Sequence, residues 1–276
     1  MRNKTIGLLY FCLVAAGSAF AQGSTSAQES GVPTSAQVVN APDRRSLQLD
    51  TSGQRISNGF GNWRDTTLRG IYGMGAHVLQ AEVSAQHRFN KDGTFLGVSD
   101  TYTFDQDWYA SLGLGIGDGT FYLPRYRVDA TLYRKLLEDR RLVTSVGVGY
   151  YSAPDGHTDR SLSLGLVYYF EAPWIVEGGL RLNNSNPGGV RTQQQFLALT
   201  YGHDKQDLVS ARYGWGGEGY QAITANTQIV NFRSREANLS WRHWVTSQTG
   251  VVVGVNRYTN PLYNRTGFTV GIFHDF

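Results

Sequence analysis

An alternation of apolar and polar residues with period two, repeated in segment after segment, constrains this chain more than any other feature. In 125–135, Tyr126, Val128, Ala130 and Leu132 share one face, while Arg125, Arg127, Asp129 and Thr131 share the other. In 161–170 the apolar face is Leu162, Leu164, Leu166, Tyr168 and Phe170. In 78–89, Leu79, Ala81, Val83 and Ala85 oppose Gln80, Glu82, Ser84 and Gln86. An extended strand sends successive side chains to opposite faces, so each segment reads as a strand. Composition agrees: 33 Gly, 16 Tyr and 13 Phe in 276 residues suit many strands and tight turns better than helices.

Alternation fits two architectures, and the polar face separates them. A soluble sandwich or barrel turns its apolar face inward; a membrane barrel turns it outward, around a polar interior. Here the polar face carries Gly113, Gly147, Gly165 and Gly179 beside Arg125, Arg127, Asp129, Glu177 and Arg181. Glycine weakens a strand facing solvent, whereas a lumen wall tolerates small residues. Segment lengths match the ~9 to 11 residues that a tilted strand needs to cross hydrocarbon. Aromatics gather at segment ends (Tyr150-Tyr151, Tyr168-Tyr169-Phe170, Trp174, Trp215, Trp241, Trp244), as interfacial girdles do. A helical membrane bundle is excluded by a mean hydropathy of −0.32 and by the lack of a long uncharged apolar run after the first 25 residues. The expected fold is all-β: a transmembrane, antiparallel, up-and-down β-barrel.

Fourteen strands are read, at 47–57, 64–73, 77–89, 95–104, 107–117, 124–136, 140–151, 158–170, 173–183, 190–202, 207–215, 228–244, 249–257 and 263–276. Twelve is the alternative, because the turn at 90–94 is short for an outer loop and Asp100 falls on the lipid phase. An even number returns both termini to one side. Connections on that side (74–76, 105–106, 137–139, 171–172, 203–206, 245–248) are shorter than 58–62, 118–123, 152–157, 184–189 and 216–227 on the other, the asymmetry of an outer-membrane barrel. In the last strand Phe268, Val270, Ile272 and terminal Phe276 share the apolar phase, an ending that barrel-insertion machinery is expected to read. His274 interrupts that series.

The N-terminus supplies the compartment. Arg2 and Lys4, an apolar stretch over 6–16 and Ala19-Phe20-Ala21 form a cleavable secretory signal, 1–21. The only cysteine, Cys12, lies within it and follows Tyr10-Phe11 rather than small residues, so lipidation is rejected. Residues 22–46 read as a flexible periplasmic lead-in, and 47–276 as the barrel in a bacterial outer membrane.

The segment Phe121-Tyr122-Leu123-Pro124-Arg125-Tyr126-Arg127-Val128-Asp129-Ala130-Thr131-Leu132-Tyr133 resembles the F-x-x-P-R-Y-R-V strand opening of the YaiO-type outer-membrane β-barrels. Arg88-Phe89 and terminal Phe276 are similar in placement. Asp129 and Thr131 stand where the family pattern has Gly and Glu. The resemblance covers about 47–276 and implies a fold and a location; it carries no catalytic residue.

No cofactor or metal motif is present, and a net charge of +3 with no basic block gives no case for nucleic acid. Strand phase sends Arg69, Glu82, Arg125, Arg127, Asp129, Glu177, Arg181, Arg212, Glu236 and Arg242 inward. Buried charges must be paired or wet, so these residues form either a salt-bridged plug or the wall of an aqueous passage with slight anion preference. The wet passage is the favoured reading. Arg160, Arg191, Arg233, Arg235 and Arg257 fall on the lipid phase near outer strand ends, where they are either solvated loop arginines or partners of lipopolysaccharide phosphates. Asp155, His157 and Asp159 lie close together in an outer loop, either as a hydrolytic acid–base group or as a solvated turn around Pro154-Asp155-Gly156. The expected role is a channel, transport or export component for small polar or anionic solutes. A structural or adhesive barrel without conductance, or a loop-based hydrolase, are the alternatives.

Overall fold

The structure, a computed structural model, describes residues 45–171 and 173–276. They form a closed antiparallel barrel of fourteen strands: β1 (Arg45–Ile56), β2 (Asn62–Met74), β3 (His77–Arg88), β4 (Lys91–Thr103), β5 (Trp108–Gly117), β6 (Tyr126–Leu136), β7 (Leu142–Ser152), β8 (Thr158–Tyr169), β9 (Trp174–Asn186), β10 (Val190–Gly202), β11 (Asp207–Ala222), β12 (Gln228–Trp244), β13 (Thr249–Thr259) and β14 (Asn264–Asp275). Each strand pairs with its sequence neighbours, and β14 returns to β1 with Ser46 opposite Asp275 and Ile56 opposite Arg265. The amide of Phe276 donates to the Arg45 carbonyl at 2.9 Å and finishes the seam. Closure removes every sheet edge, as hydrocarbon demands of backbone groups that have no water to bond.

The period-two pattern is the inside–outside pattern. Outward side chains include Leu47, Leu49, Leu112, Leu114, Val146, Val148, Leu162, Leu164 and Leu166, all exposed. Phe268, Val270, Ile272 and Phe276 are exposed with them. His274 shares their face, where its Nδ1 lies 2.8 Å from Thr249 Oγ1 and its ring meets the edge of Phe276. Aromatics ring the end that carries the termini: Tyr72, Tyr102, Phe104, Phe170, Trp174, Tyr201 and Trp241 point out. Trp244, read from the sequence as part of that girdle, instead points in and is buried, because it stands one even step from Arg242 rather than from Trp241.

Strand count is fourteen, and Asp100 is no sign of a slipped register. It faces out near the termini end of β4, and its Oδ2 lies 2.7 Å from His77 Nδ1. His87 and His243 repeat the arrangement with Asp92 (2.6 Å) and Asp207 (2.8 Å), again at strand ends. The turn expected at 90–94 is a two-residue hairpin, Phe89-Asn90, with both residues at positive φ (50° and 60°). A left-handed Phe is costly, but this one swings its ring to 4.9 Å from Trp63.

Several boundaries differ, among them the start of β4 at Lys91 and of β6 at Tyr126. Arg45 and Ser46 belong to β1, not to the lead-in; residues 1–44, including the signal segment and Cys12, lie outside the described residues. β9 runs on to Asn186. β11 runs on to Ala222, so the glycine-rich stretch 216–219 is strand, paired as Gly216–Ser234 and Glu218–Phe232. The connections at the far end, opposite the termini, are 57–61, 89–90, 118–125, 153–157, 187–189, 223–227 and 260–263, so 184–189 and 216–227 are much shortened while 118–123 is lengthened. The length asymmetry expected between the two ends is largely lost.

Candidate functional site

The interior has two unlike walls. Across β4–β8 the middle of the inward face is made of small residues: Gly97, Ser99, Ser111, Gly113, Thr131, Ser145, Gly147, Gly149, Ser161, Ser163 and Gly165. A Cβ placed on Gly113 would meet nothing nearer than Ser99 Cβ at 3.7 Å, an ordinary contact, so that point of the wall accepts a side chain without displacing its neighbours. Phase alone produces this wall, since glycine and serine occupy every second position while leucine and valine fill the lipid side.

The facing wall, from β11 through β14 to β3, carries large charged and aromatic side chains. Nearest the termini, Arg242 donates to Gln48 Oε1 at 2.7 Å and lies over the Phe273 ring at 3.4 Å; Gln48 Nε2 in turn donates to Asp50 at 2.8 Å. At mid-depth Arg69 and Glu82, register partners on β2 and β3, form an ion pair at 3.1 Å. Farther up, Arg88 meets Asp65 at 3.1 Å and Arg265 meets Glu236 at 3.0 Å. Tyr258 donates to Glu218 at 2.8 Å. A buried charge is tolerable only when paired in this way.

Of the inward residues read from the sequence, Arg69, Glu82, Glu236 and Arg242 belong to this wall. Arg127 and Asp129, 3.7 Å apart on β6, keep 20 and 30% of their side-chain surface open to the interior. Arg212 lies over Phe196 at 4.1 Å, and Glu177 and Arg181 are buried on β9. Arg125 differs: it precedes β6 and is exposed at the rim, because the strand begins at Tyr126. Sequence reading missed Asp50, Asp65, Arg88, Lys135, Asp159, Glu218, Arg265 and Asp275 as inward charges, all of them buried. Their phase was available in the sequence; Arg88, for example, continues the series Glu82, Ser84, Gln86. Adding them removes the excess of bases over acids, so the net charge of the wall gives no anion preference.

Both ends are narrowed. At the far end Trp63, Phe89, Phe95, Tyr122, Leu123, Ile223, Tyr258 and Tyr263 pack into one buried cluster, joined by Phe60, Phe121 and Leu262. Its members come from five different connections and the strand ends beside them. Burial among these rings pushes the Tyr263 hydroxyl up to about 12. At the termini end Tyr109 and Tyr133 stack at 4.4 Å with Val143 and Val167, and Trp244, Val252 and Phe273 form a second group.

The loop group is brought together, but as a packed corner. His157 Nδ1 lies 2.7 Å from Asp155 Oδ1, and its buried ring stacks on Tyr220 at 5.0 Å. Asp159 instead accepts hydrogen bonds from Ser185 and, at 3.1 Å, from Asn183. Among the described residues the His157 Nε2 meets no hydrogen-bond partner, so no nucleophile is aligned with it. Nor do the described residues hold a cluster of three metal-ligating His, Cys, Asp or Glu.

The comparisons agree with this geometry. Solved structures of similar fold include the CymD monoaromatic hydrocarbon channel (TM-score 0.57, 7% identity, covering 84% of this chain and 87% of that one). A bacterial polysaccharide outer membrane secretin (0.54, 12%, 86% and 100%) is similar too, as is Omp33 of Acinetobacter baumannii (0.53, 12%, 85% and 100%). At such identities the likeness is one of fold. No curated protein matches in sequence. A family model, the YaiO membrane beta barrel domain, matches residues 44–221.

Proposed function

The chain belongs to the YaiO membrane β-barrel family, and from that premise we propose that it is an outer-membrane channel or export component through which small polar or anionic solutes pass. One observation carries the reading: a wall of glycine, serine and threonine faces a wall of paired charges, and Arg127 and Asp129 within the small-residue wall keep part of their surface open inside the barrel. Small residues leave room for water, and paired charges offer donors and acceptors without holding an ion tightly enough to stop it. Since acids and bases balance, discrimination rests on local groups such as the Arg127–Asp129 pair rather than on net charge. Similar folds in a hydrocarbon channel and a polysaccharide secretin are compatible with transport but do not choose the solute.

The aromatic cluster at the far end favours a second reading, a structural or adhesive barrel whose mouth stays shut. Single-barrel conductance in planar bilayers separates the two. The channel reading expects discrete current steps; a folded, inserted barrel silent at every voltage rejects it.

A further inference from the structure

We infer that the lipid-facing surface of the barrel carries a binding site for a bis-phosphorylated glycolipid of the outer leaflet, built from Arg55, Arg64, Arg233, Arg235 and Arg257. All five side chains are exposed on the outward phase in the far-end half of their strands. Three of them were expected there from sequence; Arg55 and Arg64 join them only because the barrel closes.

The register places them in two groups around β14. Thr266 is the partner of Arg257 on β13 and also of Arg55 on β1. Arg235 pairs with Thr259, one outward step above Arg257 on β13, with Arg233 a further step along β12. On the other side Asn62 pairs with Arg55 and Gly53 with Arg64, so Arg64 is diagonal to Arg55. Strands lie about 4.8 Å apart, which sets the two groups about 10 Å from one another across β14 and makes the whole patch about 19 Å wide. Asn62, Thr259, Asn264 and Thr266 fill the space with further hydrogen-bonding groups.

Charge is one-sided here. On the outward faces of β11 through β14 to β2 the only carboxylate is Asp207, at the termini end and engaged by His243 and Trp241. None of the five arginines makes an ion pair or hydrogen bond with the described residues. An ordinary solvated face mixes signs, as the inward face does. Directly below the arginines the same strands present Leu68, Leu239, Val255, Phe268 and Val270, all exposed and apolar. A cationic level above an apolar level selects an amphiphile with an anionic head. Two cationic poles on a patch this wide select a head carrying two phosphates and several acyl chains over a glycerophospholipid with one phosphate. Guanidinium suits phosphate because its fork bonds two oxygens at once.

Arg160 lies elsewhere: it pairs with Asn184 on β9 and stands on β8, four strands from β12, and serves as an internal control, whereas Arg191 on β10 is two strands from β12 and is left unchanged. The test titrates the purified full-length barrel in detergent with bis-phosphorylated lipid A, with its dephosphorylated form and with phosphatidylglycerol, counting bound lipid by native mass spectrometry. The variant R55Q/R64Q/R233Q/R235Q/R257Q is expected to bind bis-phosphorylated lipid A at least about tenfold more weakly, the loss of one or two charge-assisted hydrogen bonds. R160Q should bind as the parent does. Heat-dependent gel migration checks that each barrel is closed. Should the fivefold variant not fold, R55Q/R64Q and R233Q/R235Q are read separately, each with a partial loss expected. Undiminished binding by the variants, or equal binding of the dephosphorylated lipid or of phosphatidylglycerol by the parent, overturns the site.

Discussion

Arg88 and Arg265 lie over one indole ring, that of Trp63, with their guanidinium carbons 5.1 and 5.0 Å from its centroid. Two like charges at one ring would repel, but Asp65 and Glu236 each hold one of them at about 3 Å. The ring adds an attraction of up to about 2 kcal/mol per cation when water is excluded, as it is here: Trp63, Arg88 and Arg265 are all fully buried or nearly so. The result ties β2, β3, β12 and β14 together across the β1 strand that closes the barrel.

Removing Asp65 should therefore cost more than removing its partner as well. Asp65→Ala leaves Arg88 buried without its carboxylate, an expected loss of about 3–5 kcal/mol. Asp65→Ala combined with Arg88→Met should recover much of it. Urea unfolding of the barrel in lipid vesicles, read by Trp fluorescence, measures both; equal losses in the two variants would contradict the pairing.

Gly113 lies on the small-residue wall of the interior. Gly113→Trp is expected to lower single-barrel conductance severalfold at little cost in stability, because a Cβ there meets its nearest neighbours, Ser99 Cβ at 3.7 Å and Asp129 O at 3.9 Å, only in ordinary contact. Gly179→Trp, where the Phe196 ring already covers the glycine, should instead destabilise the barrel. Bilayer recordings and unfolding midpoints for the two variants separate the effects.

The His77–Asp100 pair shields a carboxylate on the lipid side. His77→Ala is expected to cost about 1 kcal/mol, the range for a charge near the interface, and Asp100→Leu to cost less. The unfolding midpoint of the double variant tells whether the two residues act as a pair: if their effects simply add, they do not.

Asp105 sets a pH dependence in the turn between β4 and β5. Its Oδ1 accepts hydrogen bonds from the amides of Asp107 (2.7 Å) and Trp108 (2.8 Å), which hold the carboxyl below the usual aspartate range. A depressed folded value means that the stabilising contribution is full above the unfolded pKa and is lost as pH falls through the folded one. Stability should thus decline as acid protonates this carboxylate, and Asp105→Asn should flatten that part of the profile. An unchanged profile in the variant would assign the acid sensitivity elsewhere.

Period-two phase made much of this barrel legible before any coordinates. Strand number, the outward face ending in Phe276, and the inward placement of Arg69, Glu82 and Arg242 all follow from local alternation, because a strand cannot turn adjacent side chains the same way. The glycine-rich run 216–219 misled, since glycine signals a turn locally while here the partner strand β12 keeps it extended. His157 illustrates a different limit: its nearness to Asp155 is written in the chain, but its stacking on Tyr220 is not.

Alternation is a property of neighbouring residues, and it carries the inside, the outside and the number of crossings. Closure is a property of the whole sheet. The stagger with which β14 meets β1 has no local period to announce it, yet it alone sets Arg55 beside Thr266 and Arg257, and Arg265 over Trp63 with Arg88. Those neighbours exist because hydrogen bonding must be complete around the ring, a condition that no single strand can express.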